Sequence, residues 1–120
     1  MLIEGRKVST EKVLYVKNPV DEEIVGEVFM ATEKELEWAL ESAVKGKEDM
    51  RRLSPAKRYE ILFRASEVLR RDKEEWARRI VLESGKTIRE ARAEVERASY
   101  TLLWSAEEAK RLAGEMIPVD

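Results

Sequence analysis

The chain of 120 residues is one domain at most, 43% hydrophobic and 40% charged, yet Lys+Arg (23) and Asp+Glu (25) nearly cancel to a net charge of −2. That balance argues against a nucleic-acid partner, which needs a basic excess or a basic face. Cysteine and histidine are both absent, which excludes disulfides, thiol nucleophiles, imidazole bases and Cys/His zinc sites and leaves carboxylates, Lys, Tyr and hydroxyls for any chemistry.

Met1-Leu2-Ile3-Glu4-Gly5-Arg6-Lys7 lacks the apolar run of a signal peptide, and no later stretch is long and apolar enough to span a bilayer. The expected setting is soluble and cytoplasmic, with no membrane partner. Residues 1–30 read as extended structure. Val13-Leu14-Tyr15-Val16 and Ile24-Val25-Gly26-Glu27-Val28-Phe29-Met30 are β-branched and aromatic runs, and Asn18-Pro19 with Asp21-Glu22-Glu23 supply turn chemistry between them. A short antiparallel hairpin is predicted. Two strands alone are marginal in water, so this hairpin must lean on helices or on another chain.

From Thr32 onward the period is that of a helix. Thr32 with Glu35 forms a capping box, and Leu36, Ala39, Leu40, Ala43 and Val44 make one apolar stripe, with Gly46 weakening the end. Ser54-Pro55 opens a second helix, a cap residue followed by Pro at the first helical position; its stripe is Tyr59, Leu62, Ala65 and Leu69, with Ile61 beside it. Asp72 with Glu75 caps a third helix carrying Trp76, Ile80 and Val81 to a stop at Ser84-Gly85. The fourth and longest runs from Thr87 to Ala113, roughly 40 Å at about 1.5 Å per residue. Its inward candidates are Ile88, Ala91, Val95, Ala98, Leu102, Ser105, Ala109 and Leu112. Leu103 and Trp104 widen the apolar surface, and a helix apolar on more than one side is usually buried on more than one. Gly114 is a natural stop, and Ile117-Pro118-Val119 begins another extended segment. The predicted fold is mainly α, a hairpin followed by four helices.

Dense charge of mixed sign on helices fits ion-pair networks and a thermophilic source. Arg51-Arg52, Arg70-Arg71 and Arg78-Arg79 read as solvated helix faces. Gly85-Lys86-Thr87 invites comparison with a phosphate loop, but the glycine that such a loop requires ahead of its Gly-Lys pair is here Ile80. Glu83 and Lys86 are therefore surface or ion-paired groups. Carboxylates cluster at Glu74-Glu75, Glu94 with Glu96, and Glu107-Glu108. Acid–base work needs two carboxyls in one pocket that separates their pKa values, whereas adjacent helix residues face different directions. Trp38, Trp76 and Trp104 read as core or interface rather than as stacking platforms. No residue is assigned a catalytic, cofactor-binding or metal-binding role from these patterns.

Asn18-Pro19 before Gly26-Glu27-Val28, then Ala31-Thr32, then Ser54-Pro55 with Arg58, Ile61-Leu62 and Ala65 form a series of weak signatures. Glu83-x-Gly85-Lys86, Ile88-x-Glu90-Ala91, Glu94-Val95 and Gly114-Glu115-x-Ile117-Pro118 complete it. In order and spacing, from Tyr15 to Asp120, they resemble the amino-terminal segment of the NAD(P)-dependent aldehyde dehydrogenase superfamily. Arg97 and the ending Ile117-Pro118-Val119-Asp120 are most similar to the archaeal lactaldehyde and non-phosphorylating glyceraldehyde-3-phosphate dehydrogenase subgroup.

The resemblance implies oxidation of an aldehyde to a carboxylate or thioester with NAD or NADP, using a cysteine nucleophile and a glutamate that activates water. It places those groups and the cofactor-binding strands beyond this segment. By resemblance the chain is then the helical flank of an α/β cofactor-binding domain, a single partial domain divided into 1–30 extended, 32–113 helical and 114–120 extended stub. It is expected to bind no cofactor alone and to be inactive alone. The resemblance also implies that the long helix lines the mouth of the substrate tunnel, with Arg97, Thr101 and Trp104 facing it and Arg97 able to meet an anionic substrate. The plainer alternative pairs Arg97 with Glu94, or with Thr101 and solvent. An apolar helix face built to pack on absent strands must find other cover. The expected partners are a second copy, in a homo-oligomer through exposed apolar helix faces, or the remainder of the enzyme. Two other readings stay open: a self-associating helical binding or scaffold protein, and a subunit complementing a separately encoded catalytic part.

Overall fold

A computed structural model of the chain describes residues 1–112 and 114–118. Strands β1 (Leu2–Ile3) and β2 (Arg6–Lys7) form a small hairpin absent from the predicted elements. Glu4 and Gly5 between them both have positive φ, 51° and 73°, as a two-residue hairpin turn requires. Strands β3 (Val13–Lys17) and β4 (Ile24–Phe29) pair antiparallel with Val13 opposite Phe29 and Tyr15 opposite Glu27, which is the predicted hairpin. Its turn is closed by side chains: Val20 N–H donates to Asn18 Oδ1 at 3.1 Å and Glu23 N–H to Asp21 Oδ1 at 3.0 Å.

Helix α1 (Glu33–Arg52) starts where the capping box places it, with Thr32 N–H donating to the Glu35 carboxylate at 2.9 Å. It runs on through Gly46 to Arg52. A single interior glycine costs only about 1 kcal/mol, and the end is held from outside: Arg58 Nη2 donates to the carbonyls of Met50 and Arg51 at 3.0 and 3.4 Å. Helix α2 (Pro55–Arg71) opens as predicted, the Ser54 hydroxyl accepting from Lys57 N–H at 3.2 Å.

Helix α3 (Lys73–Ser84) follows after one residue. The expected Asp72/Glu75 cap does not form, because Arg71 holds the Asp72 carboxylate through two bonds of 2.8 and 2.7 Å while Glu75 pairs with Arg79. Gly85 ends α3 at φ 69°, in the left-handed region as predicted. Helix α4 (Ile88–Ala109) is shorter than expected. Lys110 and Arg111 N–H groups bond back to Glu107 and Glu108 carbonyls at 3.2 and 2.9 Å, a tightened last turn that closes the helix before Gly114. Ala113, its expected last residue, lies outside the described residues, as do Val119 and Asp120. Gly114–Pro118 carry no strand, and the end of the expected extended segment lies outside the described residues.

The core lies between α4 and the pair α2 and α3. Ala77, Ala91, Val95, Ala106 and Ala109 are buried, with Ile80 and Val81 alongside. Of the expected inward set, Ala91, Val95 and Ala109 are buried and Leu102 half-buried, but Ile88, Ala98, Ser105 and Leu112 are exposed. Ser99 and Ala106 take the places expected of Ala98 and Ser105. At about 100° per residue they fall closer to the Val95 direction. A buried serine is tolerated because it is hydrogen-bonded: Ser66 Oγ donates to the Ser99 carbonyl at 2.8 Å, and Ser99 Oγ to the Glu96 carbonyl at 2.8 Å.

Helix α1 stands apart from this core, with β1 as its principal neighbour and no fully buried residue. Glu35, Trp38, Ala39, Ser42 and Gly46 are half-buried, while Leu36, Leu40 and Val44 are 55, 59 and 69% exposed. Of the stripe read from the sequence, Ala39 is half-buried, while Leu36, Leu40, Ala43 and Val44 face outward. The radius of gyration is 19.1 Å, against roughly 14 Å for a compact chain of this length. Among the described residues no helix is long and apolar enough to cross a membrane.

Candidate functional site

The outer face of α4 carries the three residues singled out from the sequence. Arg97, Thr101 and Trp104 recur at helical spacing and are all exposed, Trp104 by 66%. Helical spacing puts all three within one sector of α4. The Thr101 hydroxyl donates to the Arg97 backbone carbonyl at 3.0 Å, an ordinary back-bond along the helix. Among the described residues Arg97 has no ion pair. Glu94, the partner considered for it, is engaged by Lys86 instead. Arg97 also borders an open groove of about 290 Å³ whose apolar wall is Leu69, Trp76, Ile80, Val95 and Ala98. The face thus presents a free guanidinium next to apolar surface, an arrangement able to meet a carboxylate or phosphate.

The Gly85-Lys86-Thr87 turn is satisfied from within. Thr87 N–H and hydroxyl both donate to the Glu90 carboxylate, at 3.1 and 2.8 Å, and Glu90 N–H returns a bond to Thr87 Oγ1 at 3.3 Å. These Thr87 bonds hold the Glu90 carboxyl below its ordinary range. Glycine is needed here for a second reason beyond its left-handed φ, since a Cβ on Gly85 would lie 2.8 Å from Pro19 Cγ. The turn of the β3–β4 hairpin packs directly on the end of α3.

Every carboxylate weighed as an acid or base has a cation. Glu74 meets Arg92 at 2.8 Å, Glu75 meets Arg79 at 2.6 Å and Glu96 meets Lys73 at 2.8 Å. Glu94 meets Lys86, Glu107 meets Lys110 at 2.6 Å and Glu108 meets Arg111 at 3.4 Å. The hydrogen bonds from Arg92 and Lys73 pull the Glu74 and Glu96 carboxyls down. Carboxyls held ionised on open surface are unsuited to donating protons. No group of acidic residues suited to a metal ion is found among the described residues. Trp38 is half-buried, whereas Trp76 and Trp104 are exposed, which fits surfaces awaiting a partner better than core.

Three contacts lie beyond what the sequence patterns predict: the Arg58 cap on α1, the Ser66–Ser99 bond and the Gly85–Pro19 approach. Only the second had a legible signal, since Ser99 stands four residues after Val95 on the same helical row.

The model of the aldehyde dehydrogenase family matches residues 6–120. A 3-sulfolactaldehyde dehydrogenase of Priestia aryabhattai is 38% identical over 120 residues, covering 100% of this chain and 25% of that protein. A lactaldehyde dehydrogenase of Methanococcus aeolicus is 36% identical over 120 residues, covering 100% and 26%. Among solved structures, an NAD-dependent benzaldehyde dehydrogenase from Corynebacterium glutamicum superposes with a TM-score of 0.92 at 28% identity, covering 99% of this chain and 27% of its own. A glyceraldehyde-3-phosphate dehydrogenase from Methanocaldococcus jannaschii complexed with NADP gives 0.85 at 34% identity, covering 89% and 24%. The chain spans about a quarter of the length of the curated relatives it matches.

Proposed function

Since this chain belongs to the aldehyde dehydrogenase family, we propose that it is the amino-terminal quarter of an NAD- or NADP-dependent enzyme oxidising an aldehyde to a carboxylic acid, and that it is inactive alone. One observation carries the reading: the family match runs over residues 6–120 at a quarter of the relatives' length, in a sequence without cysteine. The thiol nucleophile that the family chemistry needs is not in these residues.

The residues present do not fit a dinucleotide. The strands of the described residues form two separate hairpins, and the one glycine-lysine turn spends its threonine N–H and hydroxyl on Glu90 and its lysine on Glu94. The α4 face fits a supporting role better. In the assembled enzyme Arg97, Thr101 and Trp104 line the mouth of the substrate tunnel, with the free Arg97 guanidinium steering an anionic aldehyde. Without the remainder, the outward stripe of α1 and the exposed face of α4 are left for self-association.

Mixing the chain with a cysteine-containing downstream fragment of a relative, and following reduction of NAD or NADP with an aldehyde, tests this. Activity is expected only in the mixture, and turnover by the chain alone would overturn it. In the complemented enzyme, Arg97→Gln is expected to raise KM for an anionic aldehyde about tenfold with kcat nearly unchanged. An equal rise for a neutral aldehyde would remove Arg97 from the substrate path.

A further inference from the structure

We infer that α1 is a self-complementary docking face that pairs antiparallel with α1 of a second copy of this chain. The inference rests on the reading above that the chain's apolar helix faces are left to self-associate. Helix α1 turns Trp38 and Ser42 toward the molecule and leaves Leu36, Leu40 and Val44 exposed. Along that same outward row, at about 100° per residue, lie Glu33 and Glu37 before the apolar centre and Lys47 and Arg51 after it. The acidic, apolar and basic segments follow one another on one face.

Two copies laid antiparallel about position 42 bring opposite charges together at both ends of the stripe, while Leu36 faces Glu48 of the second copy. Glu33 stands over Arg51 of the second copy, Glu37 over Lys47, and Leu40 over Val44, and the two-fold axis repeats each pair. Ala43 beside the axis lets the backbones approach, and antiparallel helix dipoles add to the attraction. Among the described residues Glu33, Glu37 and Lys47 have no ion pair, and Arg51 has only a loose one, 3.9 Å from Glu48 on the same helix. A parallel pair would place acid on acid and base on base, so the charge pattern selects one direction. A single helix pair is small for an interface, so association in the micromolar range is expected.

Sedimentation equilibrium of the whole chain, with Glu37→Lys, Lys47→Glu and their equimolar mixture, tests the pairing. The original chain is expected to dimerise, and each variant alone to dissociate about tenfold more readily, because two attractions become two repulsions. The mixture is expected to regain the original affinity, since in the mixed dimer each introduced charge again faces one of opposite sign and the two native partners, Lys47 of one copy and Glu37 of the other, still meet. Circular dichroism checks that helix content is unchanged in each variant. A dimer insensitive to both substitutions, a mixture no tighter than its components, or a chain monomeric at all concentrations would each overturn the pairing. None of these results bears on the complementation assay, which alone decides the enzymatic reading.

Discussion

Gly85 carries two demands at one position, a left-handed φ of 69° and an approach to Pro19 Cγ that leaves no room for a Cβ. Gly5 carries only the first: its φ is 73°, and nothing stands within 4 Å of a Cβ built there. The pair separates backbone strain from crowding. Gly5→Ala is expected to cost about 1 kcal/mol, and Gly85→Ala about 2–3 kcal/mol, in urea unfolding. Adding Pro19→Ala to Gly85→Ala is expected to recover part of the difference. Equal costs for the two glycines would show that the hairpin turn yields freely. Ser66 makes a smaller demand. Ser66→Ala removes the bond to the Ser99 carbonyl, which keeps its own helical partner, so about 1 kcal/mol is expected.

Between α3 and α4 the contact is a small apolar core flanked by ion pairs. Arg92 reaches Glu74 and Lys73 reaches Glu96 across the two helices, both on exposed surface. The fold lowers the pKa of Glu74 and Glu96 through these cations, and of Glu35 and Glu90 through bonds from Thr32 and Thr87 at the helix starts. A carboxyl with a depressed folded pKa adds stability above its ordinary value of 4.5 and loses it as the pH falls through the lower folded value. Thermal midpoints are therefore expected to hold from neutrality to about pH 5 and to fall in more acidic solution, less steeply in high salt, where exposed pairs are screened. Arg92→Gln should flatten the acid limb, and a limb unchanged by it would remove the Arg92–Glu74 pair from the explanation. The same locality explains what could be read in advance. The starts of α1 and α2 and the end of α3 follow from side chains within a few residues, Thr32 with Glu35, Ser54 with Pro55, and Gly85. The buried face of α4 does not, because small residues stand both at Ala98 and Ser105 and at Ser99 and Ala106, and only packing against α2 and α3 decides between them. Spacing places Arg97, Thr101 and Trp104 on one face, while the tunnel role proposed for them rests on family likeness.

At the scale of the whole molecule, the apolar pattern of α1 demanded burial but held nothing to say against what. The fold gives α2, α3 and α4 a common core and leaves the α1 stripe outside it, at a radius of gyration of 19.1 Å. Leu36, Leu40 and Val44 form one exposed apolar row on α1, and Trp104 and Ile117 are exposed elsewhere, so the α1 row is the apolar surface most in want of cover. Two outcomes would relieve it, and they differ in how stability depends on concentration. If copies associate, dissociation is coupled to unfolding, and the thermal midpoint should climb by about 5 °C over a hundredfold rise in protein concentration. Leu40→Glu, on the outward face of α1, should abolish that climb while leaving helix content at low concentration unchanged. If a single chain folds α1 back on its own core, the midpoint stays level, and solution scattering gives a radius near roughly 14 Å. A level midpoint at the extended radius would mean that the exposed stripe costs too little to drive association, because solvated charges on either side of it suffice to keep the chain dispersed.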